Sequence, residues 1–502
     1  MNEGATVRAL EAIVDGSGVA VRLEALLAIG VRPRQLSVRT LIVGILLALV
    51  DGRPAHLTRV HAALVALGEA ERTRLGVVVE WKSGSHLLTY RQTEYTMRLI
   101  EGVLRKDTPD GEPSDVLLGL ADDLIEASIP AEYKEATSAY AVDWTDVESF
   151  ARAPRNEGGP TADPEASWGH RRGDAPGQKD ESFYGFFLQL ATMVHEDGGA
   201  AVPELVRRLL LTSCHVDPPP AFVLVLDKMV VSGVALGDIL NDSGYSHRIP
   251  EHWALPLRAL GANLVMDLHP HDRGTRGTYH GAICWNGNLY CPATPKALFT
   301  LEPLARGASD AETAAHDRRS AELARYKLGR ITADDADGFH RVACPAVLGK
   351  VRCPRRAESL MLSYAHPEIV TAPKDPPTCC TQKTLTVSPG VNAKTRQKYD
   401  YPGQAHRLSY GRRSAAERSN ATVKDPASND ISRGWCRLVG LTSMTLMLTC
   451  LFVVRNRRVQ ASFEARMAEN QRRLTLGLAP RTRRRRRQTI TDLVEGPASA
   501  PP

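Results

Sequence analysis

Between residues 410 and 424 the chain reads Tyr410-Gly-Arg-Arg413-Ser-Ala-Ala-Glu417-Arg-Ser-Asn-Ala-Thr-Val-Lys424. If the run is one α-helix, at roughly 100° per residue Tyr410, Arg413 and Lys424 all fall within about 40° of Glu417, so a single carboxylate shares its face with two cations and a phenol. One carboxylate flanked by cations and a phenol is a constellation that could carry chemistry. Equally, Arg413 and Glu417 form an i, i+4 pair of the kind that laces a solvated helix. Pro426 closes the helix just beyond Lys424. Spacing alone leaves both readings open.

Two weaker patterns also carry metal-ligating residue types. Asp267-Leu-His269-Pro-His271-Asp272 has the His-x-His look of a hydrolase metal site, against the simpler reading of a loop bordering an active cleft. Six of the nine cysteines lie between residues 276 and 400: Cys284-x6-Cys291, Cys344-x8-Cys353, and the pair Cys379-Cys380. They could ligate a structural Zn²⁺ that stiffens this region, but no pair has C-x2-C spacing, and buried free thiols are the default.

The elements that must position these groups follow from periodicity. Residues 35–130 read as helices, with apolar runs at Leu36–Val50, Thr58–Leu67 and Glu94–Leu104. Ala139–Val142 is a short β-type run leading into Asp143. Residues 153–182, rich in Gly, Pro, Asp and Arg, read as a long loop. From 183 the pattern predicts strands over Phe183–Val194 and Leu205–Ser213, a helix over Phe222–Val231, a strand over Leu236–Leu240, a helix over roughly 250–261 and a strand over Asn263–Met266. Antiparallel strands followed by alternating helix and strand predict an α/β sandwich with a mixed sheet. Residues 276–400 carry no long periodic segment and read as an inserted subdomain. Helical signals return near 406 and over 433–455, and Phe463–Leu478 is amphipathic.

In the spacing Tyr, two residues, Arg, three residues, Glu, six residues, Lys, residues Tyr410, Arg413, Glu417 and Lys424 resemble the Y-R-E-K signature of cut-and-paste insertion-sequence transposases of the DDE class. The resemblance implies an RNase H-like α/β core whose Asp, Asp, Glu triad ends on the signature helix. Asp143, in Ala-Tyr-Ala-Val-Asp143-Trp-Thr, resembles the family's first-strand Asp; Asp242, in Ile-Leu-Asn-Asp242-Ser-Gly-Tyr, resembles the second. Trp144 and Asn241 stand where the family usually has small residues. Asp146 is a rival for the first position, but in an extended segment it faces opposite to Asp143. The resemblance covers about 136–456 and implies catalysis and metal binding by Asp143, Asp242 and Glu417. Their cofactor would be two Mg²⁺ (or Mn²⁺) ions, suited to hard oxygen ligands, and the chemistry phosphodiester hydrolysis followed by strand transfer. Tyr410, Arg413 and Lys424 would bind DNA. The expected organisation is a helical, DNA-end-binding domain (1–135), a first part of the core (136–275), a Cys-rich insertion (276–400), a second part bearing Glu417 (401–456) and a basic tail (457–502).

Composition limits the alternatives. A hydrophobic fraction of 43% with 24% charged residues excludes collagen, disulfide miniproteins and multi-span transporters. The net charge of +6 is asymmetric: residues 401–502 hold 19 Lys/Arg against 7 Asp/Glu, including the run Arg483–Arg487, so the rest of the chain is net acidic. The basic end fits double-stranded DNA, both element ends and target, and the resemblance implies a homo-oligomer in the DNA complex and no small-molecule substrate. The Cys usage and polar N-terminus predict a cytoplasmic, nucleoid-associated protein. Leu438–Val454 is uncharged for 17 residues and is read as a buried core helix rather than a membrane anchor. The other readings are an inactive, transposase-derived DNA-binding protein and a tail-anchored protein.

Overall fold

The structure, a computed structural model, describes residues 3–27, 34–80, 87–105, 109–156, 159–171, 179–305, 307–370, 375–426 and 428–481; the arginine run at 483–487 lies outside the described residues. At its centre is a mixed sheet. The strands are β1 (Ala139–Glu148), β2 (Ser167–Arg171), β3 (Glu181–Val194), β4 (Val206–Ser213), β5 (Asp238–Asn241) and β6 (Asn263–Met266). β1 runs antiparallel to β3 from Ala139↔Val194 to Glu148↔Gly185. The far edge of β3 is shared in succession by β2, which pairs with Glu181–Gly185, and β4, which pairs with Phe186–Thr192. On its other side β1 pairs in parallel with β5, and β5 in parallel with β6. An antiparallel meander β1–β3–β4 is thus extended by two parallel strands. β1 lies between the two halves, and its first four residues are all buried, as a strand covered on both faces requires.

The predicted strands at 183–194, 205–213 and 263–266 fall within a residue or two of those observed, because each is a long β-branched, aromatic or leucine-rich run. The segment 153–182, read as loop, contributes the short edge strand β2. Residues 276–400 hold two three-stranded sheets and the helix Asp310–Arg325, which periodicity missed. That helix buries only His316 and Leu323, so it has almost no apolar stripe to detect. Its signature is instead the capping box in which Ser309 and Glu312 each take the other's backbone N–H.

The helix expected over 433–455 begins only at Leu441, residues 433–440 being turn and irregular chain, and it continues unbroken through most of the amphipathic stretch 463–478 as one helix, Leu441–Thr475. Nothing between Arg455 and Ser462 breaks it. Its start is set by Gly440, whose φ of 93° a side-chain-bearing residue would resist. From Leu441 to Asn456 every side chain is buried. Asn456 accepts from the Val206 N–H (2.9 Å) and donates to the Val206 carbonyl (2.8 Å), so the side chain completes the backbone pairing at the start of β4. The Leu438–Val454 segment is therefore core, and no helix among the described residues is long and apolar enough to cross a membrane.

The helices of residues 1–135 do not close a core of their own. Leu10, Leu46 and Leu124 share one continuous buried cluster with Phe186 and Leu209 of the sheet and Phe452 of the last helix. Burying that shared surface is the main force that holds the N-terminal helices to the sheet.

Candidate active site

Asp143 lies on β1 just past the residues paired with β5, and Asp242 is the first residue after β5, where its Oδ1 accepts the Gly244 N–H at 2.9 Å. Both thus sit just beyond the point where the parallel pairing of β1 with β5 stops, although β1 itself stays paired with β3 through Glu148, and there their side chains can converge. The third group comes from the Ser414–Lys424 helix. Ala415, Ala416 and Ser419 are buried and small, which seats this helix closely on β1 and β3, with Ser419 accepting a 3.1 Å bond from Thr192. Glu417, on the next face, is left 55% exposed.

Although Asp242 follows Asp143 by 99 residues and Glu417 follows Asp242 by 175, all three carboxylates meet one guanidinium. Arg413 places Nη2 3.4 Å from both Asp143 and Asp242, and donates from Nη1 to Glu417 at 2.6 Å. Asp143 and Arg413 are nearly buried, at 14% and 12% side-chain exposure. Burial is the main cause that pushes the Asp143 carboxyl up to about 6; Asp242 and Glu417 add to it, against Arg413 and the Trp144 N–H. One cation shared among three anions does not offset the burial of the most buried of them, so that carboxyl stays raised although it is still mainly ionised above about 6. Burial likewise opposes charge on Arg413, but Tyr410, Asp143, Asp242 and Glu417 outweigh it and raise its pKa.

The expectation of one helix across residues 410–424 is corrected. A helix Gln404–Tyr410 gives way to a tighter turn at Gly411–Arg413 before the Ser414–Lys424 helix begins. The turn is fixed by the residue between the two expected ones. Arg412, 3% exposed, donates to Asp238 of β5 (2.8 Å) and to the His195 carbonyl (2.9 Å), while Lys398 closes on the same Asp238 at 2.9 Å. This buried clamp ties the turn to the strand that ends at Asp242, and so aims Arg413.

Tyr410 is largely buried, stacked on His406 with ring centroids 5.4 Å apart. Burial first, then the nearby Asp267, Asp242 and Glu417, drive its hydroxyl pKa up against the effect of Arg413. Lys424 stands apart from the three carboxylates and donates to Asp146 at 2.8 Å. Asp146 also meets Arg171 at 2.6 Å. Burial opposes its ionisation, yet Lys424 and Arg171 together hold its carboxyl below the ordinary range. These groups, with Trp144 and His170, line an open polar cavity of about 600 Å³ next to Asp143.

One residue to which the sequence reading gave no role belongs to the site. Asn420 donates to Asp143 Oδ2 at 3.1 Å while its own Oδ1 has no partner; it lies one turn after Glu417, a position helical spacing could have flagged. Gly244, which follows Asp242 in the expected motif, also shapes the site. A Cβ there would come 2.6 Å from the Trp144 ring, so the bulky residue beside Asp143 fits only because Gly faces it.

Three oxygen-donor side chains around one cation are the donor set a hard divalent ion takes, and Arg413 Nε and Asn420 Oδ1, buried without partners, leave further polar capacity beside them. The cysteines are all free thiols, and among the described residues the one set of three metal-ligating side chains whose ligand atoms lie within 4.8 Å of each other is His247, His269 and His271. No protein-family model matches the chain, and no curated protein matches it.

Proposed function

We propose that the chain is a DNA transposase of the DDE class, with Asp143, Asp242 and Glu417 as its catalytic carboxylates and the sheet β4–β3–β1–β5–β6 as an RNase H-like core into which residues 276–400 are inserted. The observation that carries the reading is the meeting of those three carboxylates at Arg413 from three remote segments of chain. Sequence resemblance selected the same three residues without knowledge of their proximity.

Asp143, Asp242 and Glu417 would hold Mg²⁺ or Mn²⁺. When bound, such ions supply a nucleophilic water at neutral pH and stabilise the leaving oxygen of a phosphodiester. The chain's own groups have separable tasks. Asn420 and the Trp144 N–H fix the Asp143 carboxylate, each by one hydrogen bond. Arg413 offsets the repulsion among the three anions and keeps them together. Lys424 and Arg171, along the adjoining cavity, present positive charge to a DNA backbone, where they would exchange Asp146 for phosphate. The basic C-terminal region adds non-specific affinity for double-stranded DNA. Water would cut the strand first, and the freed 3′-hydroxyl would then attack a second phosphodiester in the target.

Glu417→Gln keeps the side chain's size and removes one anionic oxygen ligand. With DNA carrying the sequences that flank this reading frame, Mg²⁺-dependent cleavage should be lost while binding at fixed salt is retained. Wild-type cleavage by the Gln variant would overturn the assignment of the triad. A wild-type protein that binds but never cuts with either ion would leave a DNA-binding protein of transposase descent.

A further inference from the structure

The loops that follow β5 and β6 carry a second constellation, chemically unlike the first. His247 ends the turn that Asp242 begins, His269 caps the Pro270–Asp272 turn after β6, and His271 lies within that turn. Folding brings one nitrogen from each imidazole within 4.8 Å of the others. His247 and His269 lie face to face with centroids 3.9 Å apart, and His271 meets His269 edge-on at 4.8 Å. We propose that His247, His269 and His271 form a binding site for a borderline transition-metal ion of the Zn²⁺, Co²⁺ or Ni²⁺ class, which pins the loop after β6 to the loop after β5.

Three features favour an ion over a chance meeting of histidines. The first is convergence: two separate loops bring one ring nitrogen from each of three histidines within 4.8 Å of the others, the spacing of ligands around a single ion. The second is orientation. His247 Nδ1 lies 2.9 Å from Asp272 Oδ2, the same oxygen that Lys394 Nζ meets at 2.8 Å, and Lys394 Nζ is itself 3.4 Å from His247 Nδ1. A carboxylate hydrogen-bonded to a ring nitrogen is the outer partner that orients histidines in metal centres. His269 Nδ1 accepts only a long 3.3 Å bond from the His271 N–H, which coordination could replace. The third is access: His247 and His271 are exposed and His269 partly so, leaving room for water or a further ligand to complete the shell.

The ligand chemistry separates this site from the carboxylates. Imidazole nitrogens favour Zn²⁺, Co²⁺ or Ni²⁺, whereas three carboxylates favour Mg²⁺ or Mn²⁺. The inference does not depend on the proposed transposase activity, because it concerns binding and loop stiffness. An ion here would restrain the residues on either side of it in space: Asp242, five positions before His247, and Asp267, which takes a 2.7 Å bond from Tyr401.

The experiment titrates Co²⁺, and then Zn²⁺ in competition, into the purified full-length protein at neutral pH. Absorption reports the ligand type and calorimetry the stoichiometry. One equivalent should bind with d–d bands and without the charge-transfer band that thiolate ligands give. His269→Ala and His271→Ala should each weaken binding at least about tenfold, and Asp272→Asn by about 10–100-fold. Circular dichroism checks that these variants fold, and Glu417→Gln should leave the affinity unchanged. Any of three results would overturn the proposal: no binding at equimolar ion, binding that persists when all three histidines are replaced by alanine, or a thiolate spectrum, which would place the ion on the cysteines. Loss of Co²⁺ binding in Glu417→Gln with retention in the histidine variants would place it on the carboxylates and also overturn the proposal.

Discussion

Asp143→Asn should make the protein more stable at pH 8 and remove its capacity for catalysis, and the size of the gain follows from the geometry. The carboxyl is raised from an ordinary 3.8 to about 6, so the folded state binds this proton more tightly than the unfolded chain does. Stability contributed by protonation is therefore gained as pH falls from about 6 toward 4, and above both values the folded protein bears the full cost of a buried carboxylate. A shift of about 2 units at 1.36 kcal/mol each puts that cost at about 3 kcal/mol at pH 8, about half of it at pH 5 and almost none near pH 3. The neutral amide removes the cost. It can still accept the Trp144 N–H, and its new donor can face Asn420 Oδ1, which has no partner in the wild type. Arg413 keeps Asp242 and Glu417. For a chain of this size, about 3 kcal/mol corresponds to a rise of about 3 °C in the thermal midpoint. Thermal melts of both proteins at pH 8 and pH 5 would show a difference at pH 8 that narrows by about half at pH 5. Saturating Mg²⁺ should raise the wild-type midpoint at pH 8 and leave the variant's unchanged, since only the native wild type binds the ion. A variant no more stable than wild type at pH 8, or a difference that ignores pH, would refute the reasoning.

Two further predictions concern the supports of the site. Asp238→Asn leaves the buried Arg412 with only the more distant Asp197, at 3.8 Å, as an anion and should cost about 3 kcal/mol in urea denaturation, whereas a loss below about 1 kcal/mol would show that the clamp is not what holds the Gly411–Arg413 turn. Deleting residues 482–502 removes the Arg483–Arg487 run; if each arginine meets a phosphate, the slope of log affinity against log salt for non-specific duplex should flatten by about 4–5, and an unchanged slope would mean that the run does not touch DNA.

What the sequence disclosed was mostly what local patterns encode. β3, β4 and β6 were legible because each is an apolar run bounded by turn residues, and the Ser414–Lys424 helix because Pro426 stops it. Contacts between distant segments were not legible. His247 is an isolated histidine in sequence and joins His269 and His271 only because β5 and β6 are parallel neighbours. Arg412 and Asp238, 174 residues apart, form their ion pair for the same kind of reason. The break at Gly411–Arg413 escaped because helical spacing across it is nearly continuous; only the pull of Arg412 toward Asp238 tightens the turn. The helix at 310–325 shows the opposite failure, a strong local cap without an amphipathic pattern.

Trp144 and Asn241, the residues beside Asp143 and Asp242, are linked through one packing arrangement. Trp144 stacks on Tyr245 at 4.5 Å, Tyr245 on Trp253 at 4.5 Å, and Trp253 donates its indole N–H to Asn241 at 3.1 Å. Asn241 in turn donates to the Asp242 carbonyl. The aromatic stack therefore runs from the residue after Asp143 to the residue before Asp242, with Gly244 making room at one end and Asn241 supplying an acceptor at the other. A small residue in place of Trp144 would open a gap over Gly244 and hydrate Asp143. An apolar residue in place of Asn241 would strand the buried Trp253 N–H. Each of these residues depends on its neighbours, so Trp144 and Asn241 belong to one packing arrangement around the carboxylates. Because burial is the leading cause of the raised Asp143 pKa, this same stack helps to set the charge state of the residue it shields.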